Sequence, residues 1–156
     1  MSFTNSNDYI TGRKPVPTAA GGETLVVRFT LAVATADLAL NTIGQVGILP
    51  AGHVPVEVRI DSTDIDSSTA AAVIAVGIWD GSGASLSTDA IDGGGLWGDT
   101  GGVLTIAFDK AITRLLNNMA TVGPSSVDRK LGLKVTTAPT TAVAGTIGVT
   151  LTYRPA

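Results

Sequence analysis

The chain has 156 residues, ten basic and thirteen acidic, giving a formal charge of −3, and it contains no cysteine. That length supports one domain with a real core, and the missing cysteine excludes disulfides and thiolate metal sites as its support. A pI near 4.9 excludes the basic footprint of a nucleic-acid binder. Only 15% of residues are charged, against about 25% in ordinary globular chains, and with a mean hydropathy of +0.36 this surface suits burial between subunits.

Met1 to Asp8 is polar and carries no apolar h-region, so no signal peptide is expected. No run approaches the roughly 18 apolar residues of a membrane helix. Three Phe, two Tyr and two Trp are too few for the two aromatic girdles of a membrane β-barrel. Residues 1–23 read as an extended N-terminal arm, distinct from a domain over 24–156. Pro15 and Pro17 favour extended backbone and cannot join a central ladder. Two readings of the arm stay open: a frayed terminus, or a segment lying along a partner with Arg13 and Lys14 supplying its charge.

From Glu23 onward the period becomes two. Leu25, Val27, Phe29, Leu31 and Val33 share one face of a strand. Ile43 to Leu49 is a shorter, glycine-broken strand. Val54, Val56, Val58 and Ile60 alternate with Pro55, Glu57, Arg59 and Asp61, which predicts a strand with its polar face in water. Ala71 to Trp79 is apolar on both faces, so it is either central or covered by a neighbouring subunit. Leu86 to Ile91 and Val103 to Phe108 are further strand candidates. Asp109 is placed to cap a short helix with the stripe Ile112, Leu115, Leu116 and Met119, stopped by Gly123-Pro124. Leu131, Leu133 and Val135, then Ile147, Val149, Leu151 and Tyr153, mark the last two strands. The expected class is all-β: a single-domain jelly roll or related two-sheet antiparallel sandwich of about eight strands.

Little in this pattern offers chemistry. His53 is the one histidine, and its parity with Glu57, Arg59 and Asp61 puts it on the solvated face or at the strand's entrance. A Ser-His-Asp site would need it, yet no G-x-S-x-G elbow accompanies it. Asp61, Asp64 and Asp66 form the metal candidate, offering calcium three carboxylates from one loop, although the spacing fits no EF-hand. A polar loop between strands explains the same residues. Asp89, Asp92 and Asp99 fall in or beside the Gly-rich run 92–102, where Gly and Asp serve turns; the run lacks a Walker lysine. Trp79 and Trp97 are interface candidates, as aromatic anchors often are. No catalytic residue and no cofactor is expected.

Several stretches together resemble the small head decoration (cement) proteins of tailed bacteriophages. They are Asn7-Asp8-Tyr9-Ile10-Thr11-Gly12-Arg13-Lys14-Pro15, the run from Thr35 to Gly52, Val54-Pro55-Val56, Asp128-Arg129-Lys130, and Gly145 to Leu151. The resemblance implies a homotrimer of β-sandwich or jelly-roll subunits, made in the host cytoplasm and bound to the outer capsid surface of the virion. There it would clamp neighbouring copies of the major capsid protein, with Tyr9, Ile10, Arg13, Lys14 and Pro15 as contact candidates. No membrane and no direct nucleic-acid contact is implied. The alternative is a carbohydrate-binding or fibre-type host-recognition module built on Trp79 and Trp97; a hydrolase using His53 or the aspartates is a third, lesser reading.

Overall fold

The computed structural model describes residues 2–19, 21–67, 72–79, 81, 96–99, 111–115 and 122–156, with 96–99 and 111–115 described as backbone. Eight strands run through these residues: β1 (Leu25–Val33), β2 (Ile43–Leu49), β3 (His53–Ser62), β4 (Val73–Trp79), β5 (Leu96–Asp99), β6 (Ala111–Leu115), β7 (Arg129–Thr137) and β8 (Gly145–Pro155). They form two antiparallel four-stranded sheets, ordered β1-β8-β3-β6 and β2-β7-β4-β5. Between successive described strands the chain changes sheet each time except from β4 to β5. The architecture is therefore the expected all-β, two-sheet antiparallel sandwich.

The two-residue period of the sequence does most of this work. On β1 every second residue is inside, with Phe29 and Leu31 fully buried, and they pair across to Val149 and Ile147 of β8. Ile147, Val149, Leu151 and Tyr153 are likewise wholly buried. From the other sheet Ile74, Val76, Leu131 and Leu133 complete the same cluster. Apolar area removed from water at about 25 cal/mol per Å² is the main stabilising term for such a layer. β4 is buried along nearly its whole length and lies between β7 and β5, which makes it a central strand.

Register shifts on β2 and β3 set where the alternation slips around the N-terminal segment; β4 carries further shifts against β5 and β7. On β2 the register jumps between Gln45 and Gly47, so Val46 is the extra residue, and it is fully buried. Gly47 then faces the Phe29 ring, which lies 2.5 Å from where a Cβ would stand. On β3 the register jumps between Pro55 and Glu57, leaving Val56 as the extra residue. His53 and Pro55 consequently point inward before the bulge, and Val58 and Ile60 after it, while Val56 is exposed. This corrects the uniform alternation expected for 54–61 and the solvated histidine: His53 is buried. A bulge inserts one residue and flips the faces that follow, and a proline beside it removes one ladder donor.

The middle of the chain also departs from expectation. Residues 111–115, expected in a helix, are the edge strand β6, with Ile112 opposite Asp61 and Thr113 opposite Ile60 of β3. β3 needs a backbone partner on the side away from β8, and the β-branched Ile112 and Thr113 suit a strand; tertiary pairing overrides a short helical stripe. Residues 96–99, expected in a glycine-rich loop, pair with β4, Ala75 opposite Asp99. The expected strands at 86–91 and 103–108, together with Asp89, Asp92, Asp109, Leu116 and Met119, lie outside the described residues.

Candidate functional site

The N-terminal segment is where polar side chains take on individual tasks. Residues 2–9 run along the seam between edge strands β1 and β2, and alternate side chains turn toward the sandwich. Phe3 packs against Gly44, where a Cβ would stand 2.9 Å from its ring. Asn5 Nδ2 donates to the Ala32 carbonyl at 2.9 Å. Asn7 Nδ2 donates to the carbonyls of Val46 (2.8 Å) and Thr30 (3.2 Å), one from each sheet. Tyr9 meets the Phe29 ring edge-on, with centroids 4.9 Å apart. An unpaired strand edge invites association with other chains; here two asparagines cap part of that edge.

Asp37 anchors the start of the segment. It sits in a 3₁₀ turn, Thr35–Leu38, and is buried. Its carboxylate accepts the Thr4 amide (3.1 Å), the Thr4 hydroxyl (3.0 Å) and the Ala34 amide (2.9 Å). A buried carboxylate with three donors is satisfied in the way burial demands.

Residues 7–14 are a succession of turns, not the extended backbone expected of them. Asn7 Oδ1 accepts the amides of Tyr9 and Ile10, both at 3.1 Å. The Thr11 amide reaches the Asn7 carbonyl, the Lys14 amide reaches that of Asp8, and Gly12 supplies the positive φ of 75°. An Asx-turn of this kind competes with extended structure through local hydrogen bonds.

A second clasp holds the far end. The Tyr153 hydroxyl donates to the Pro17 carbonyl, and the Ala19 amide donates to His53 Nε2 at 3.2 Å. His53 Nδ1 lies 2.8 Å from the Ala51 carbonyl, an acceptor only, so this nitrogen carries the proton and Nε2 is bare. The imidazole and phenol rings meet edge-on at 5.5 Å. Burial, and then the charge of a nearby Tyr9, pushes the Tyr153 phenol up to about 12. Arg129 also belongs here: it is buried and donates to the His53 carbonyl at 2.8 Å.

The residues singled out in the sequence fall on this segment unevenly. Tyr9 and Ile10 are half-buried against their own domain, while Arg13, Lys14 and Pro15 are exposed. Lys14 Nζ stands 5.1 Å from the Tyr9 ring centre, and Arg13 lies 3.9 Å from the Asp8 carboxylate. A groove of about 280 Å³ opens between Lys14, Pro15 and Val16 on one side and Ile48, Pro50 and Asp128 on the other. Trp79 is half-buried beside Ile43 and Ala75, with Lys130 Nζ 5.9 Å from its ring centre. Trp97 lies in β5, far along the chain from the segment, and its side chain is outside the description.

The three candidate calcium ligands take separate partners. Asp61 is ion-paired with Arg28, the pair lying over Gly148 on the outer face of the β1-β8-β3 sheet. Asp64 accepts the Asp66 amide at 3.2 Å. Asp66 is buried and accepts the amides of Thr140 (3.1 Å) and Thr141 (3.0 Å). Among the described residues no three of His, Cys, Asp or Glu gather closely enough to hold a metal ion. Nor is any helix among them long and apolar enough to cross a membrane.

The anchors that sequence reasoning missed are Asn5, Asn7, Asp37 and the His53–Tyr153 pair. The i, i+2 spacing of Asn5 and Asn7 was a readable signal for a segment with one face turned inward. The clasp at His53 was hidden by the bulge at Val56.

A two-sheet sandwich with its N-terminal segment docked across the seam is the class that this geometry defines. No family model matches the chain, and no match emerges among curated proteins. Solved structures do share the fold. A chain from the capsid of Ralstonia phage GP4 is 24% identical, with 97% of each chain covered and a TM-score of 0.77. A chain from the cyanophage Pam1 capsid asymmetric unit is 18% identical, with 92% of each covered and a TM-score of 0.57.

Proposed function

We propose that the protein is a structural component of a tailed-phage virion, a homotrimer that decorates the outer capsid surface and stabilises it by clamping neighbouring major capsid subunits. The observation that carries this reading is the fold shared over 97% of both chains with a protein from the Ralstonia phage GP4 capsid. The sequence resemblance to head decoration proteins points the same way, as do the low charge density and the Thr-rich outer strand faces.

A ligand that binds only the assembled shell stabilises it by RT ln(1 + [L]/Kd) at every site. Three linked contacts on one trimer raise the effective concentration of the second and third. In this reading Arg13, Lys14 and Pro15, exposed on the docked segment, supply capsid contacts, and Tyr9 and Ile10 hold the turn that presents them. Cryo-electron microscopy of the virion that carries the protein tests the placement. Trimeric density fitting this sandwich on the outer surface is the expected result; its position inside the shell or at the tail would overturn the reading.

A further inference from the structure

We propose that His53 is a proton-sensitive latch that releases residues 15–19 from the sandwich when its ring becomes doubly protonated. The inference goes beyond the decoration reading and holds whatever the partner is.

The latch follows from which atoms carry hydrogen. The Ala51 carbonyl fixes the proton on Nδ1, so Nε2 holds the Ala19 amide only as a bare acceptor. A proton arriving at Nε2 sets two donors face to face and leaves the Ala19 amide without its acceptor. It also creates a cation on a residue that is 4% exposed, and a buried charge without an opposite partner is expensive. The surrounding groups offer little relief. Arg129 of β7 is a cation whose guanidinium sits on the His53 carbonyl. Tyr153 of β8 is a phenol committed to Pro17. Asp128 accepts the Ala51 amide at 2.8 Å. On the same strand, Glu57 is held by Arg59. Neither ring nitrogen bonds a carboxylate among the described residues.

Letting the arm go resolves the conflict, because the ring's covering segment leaves and water reaches Nε2. Release therefore takes up one proton, so the docked arm weakens as pH falls. The Gly21-Gly22 pair just beyond Ala19 gives the released segment rotational freedom. Tyr153 loses its acceptor on Pro17 in the same event, so the two bonds of the clasp open together.

Amide hydrogen exchange on the full-length protein, followed by NMR between pH 7.5 and 5.0 and corrected for intrinsic rates, tests the latch. Protection at Ala19 should fall as pH drops, by up to about tenfold per pH unit for one proton taken up, while the core amide of Leu151 keeps its protection. In His53→Gln, whose side-chain oxygen accepts at every pH, Ala19 protection should be flat. Ala19 protection that ignores pH in the wild type would overturn the proposal, as would loss at Ala19 and Leu151 in step. So would a His53→Gln variant that repeats the wild-type response. The wild-type comparison of the two amides decides the matter even where the variant folds poorly.

Discussion

The hydroxyl of Tyr153, the last inward-facing residue of β8, donates to the carbonyl of Pro17, 136 positions away in the chain. The bond joins the final strand to the N-terminal segment, and the same ring meets His53 edge-on. Removing only the oxygen, by Tyr153→Phe, leaves the ring packing and deletes the bond. A net loss of about 1 kcal/mol is expected from urea unfolding, with hydrogen exchange accelerating at residues 16–19. An unchanged midpoint would mean the bond adds nothing to docking.

The same phenol sets an alkaline limit. In the unfolded chain a tyrosine ionises near 10, whereas Tyr153 in the fold is pushed up to about 12 by burial first and by Tyr9 second. The fold therefore favours the neutral phenol. The stability this contributes is fully present below about pH 10 and is lost as pH rises through 12. Urea midpoints taken at pH 9, 10 and 11 should fall progressively, and less steeply for Tyr153→Phe. Equal slopes in the two proteins would assign the alkaline loss to other groups.

Asp66 is predicted to be structural. Its carboxylate satisfies two backbone amides of the 138–144 loop, next to its bridge with Ala142. Asp66→Ala deletes both bonds, and a hydrogen bond to a charged group contributes about 1.5–3 kcal/mol. The expected outcome is a loss of at least about 2 kcal/mol in chemical unfolding. Millimolar calcium should leave the wild-type melting temperature unchanged, since Asp61 is committed to Arg28 and Asp66 to these amides. A calcium-dependent rise in thermal stability would contradict this assignment.

Gly47→Ala should be among the more damaging small substitutions. Its new methyl would stand 2.5 Å from Phe29 Cδ2 inside the packed core, and overpacking of this kind costs about 1–3 kcal/mol. Phe29→Leu loses packing of its own, but in the double variant the clash is gone. A double-mutant cycle should therefore show a favourable coupling between the two sites; strict additivity would show that the ring moves aside freely.

Much of this fold is written in the two-residue period. β1, β7 and β8 could be placed within a residue or two because their large apolar residues recur at every second position, with only Gly132 and Gly148 buried between them. β3 could be placed but not oriented throughout, since one extra residue at Val56 turns His53 and Pro55 inward. β6 was illegible: the spacing of Ile112 and Leu115 suits a helix, and only the free edge of β3 makes it a strand. The docking of the N-terminal segment depends on Asn7 reaching two different sheets and on Asp37 meeting Thr4, 33 positions away. The i, i+2 spacing of Asn5 and Asn7 hints at an inward face but does not name these distant partners, and Pro15 and Pro17 suggest only an extended chain.

The central claim is that this sandwich binds an assembled phage shell. Its most direct test is co-sedimentation of the purified full-length protein with expanded, undecorated shells of the phage that encodes it, beside free major capsid protein as control. The account predicts saturable binding to the shells, with trimer stoichiometry, and none to the free subunits. Protein that remains in the supernatant at every shell concentration would contradict it.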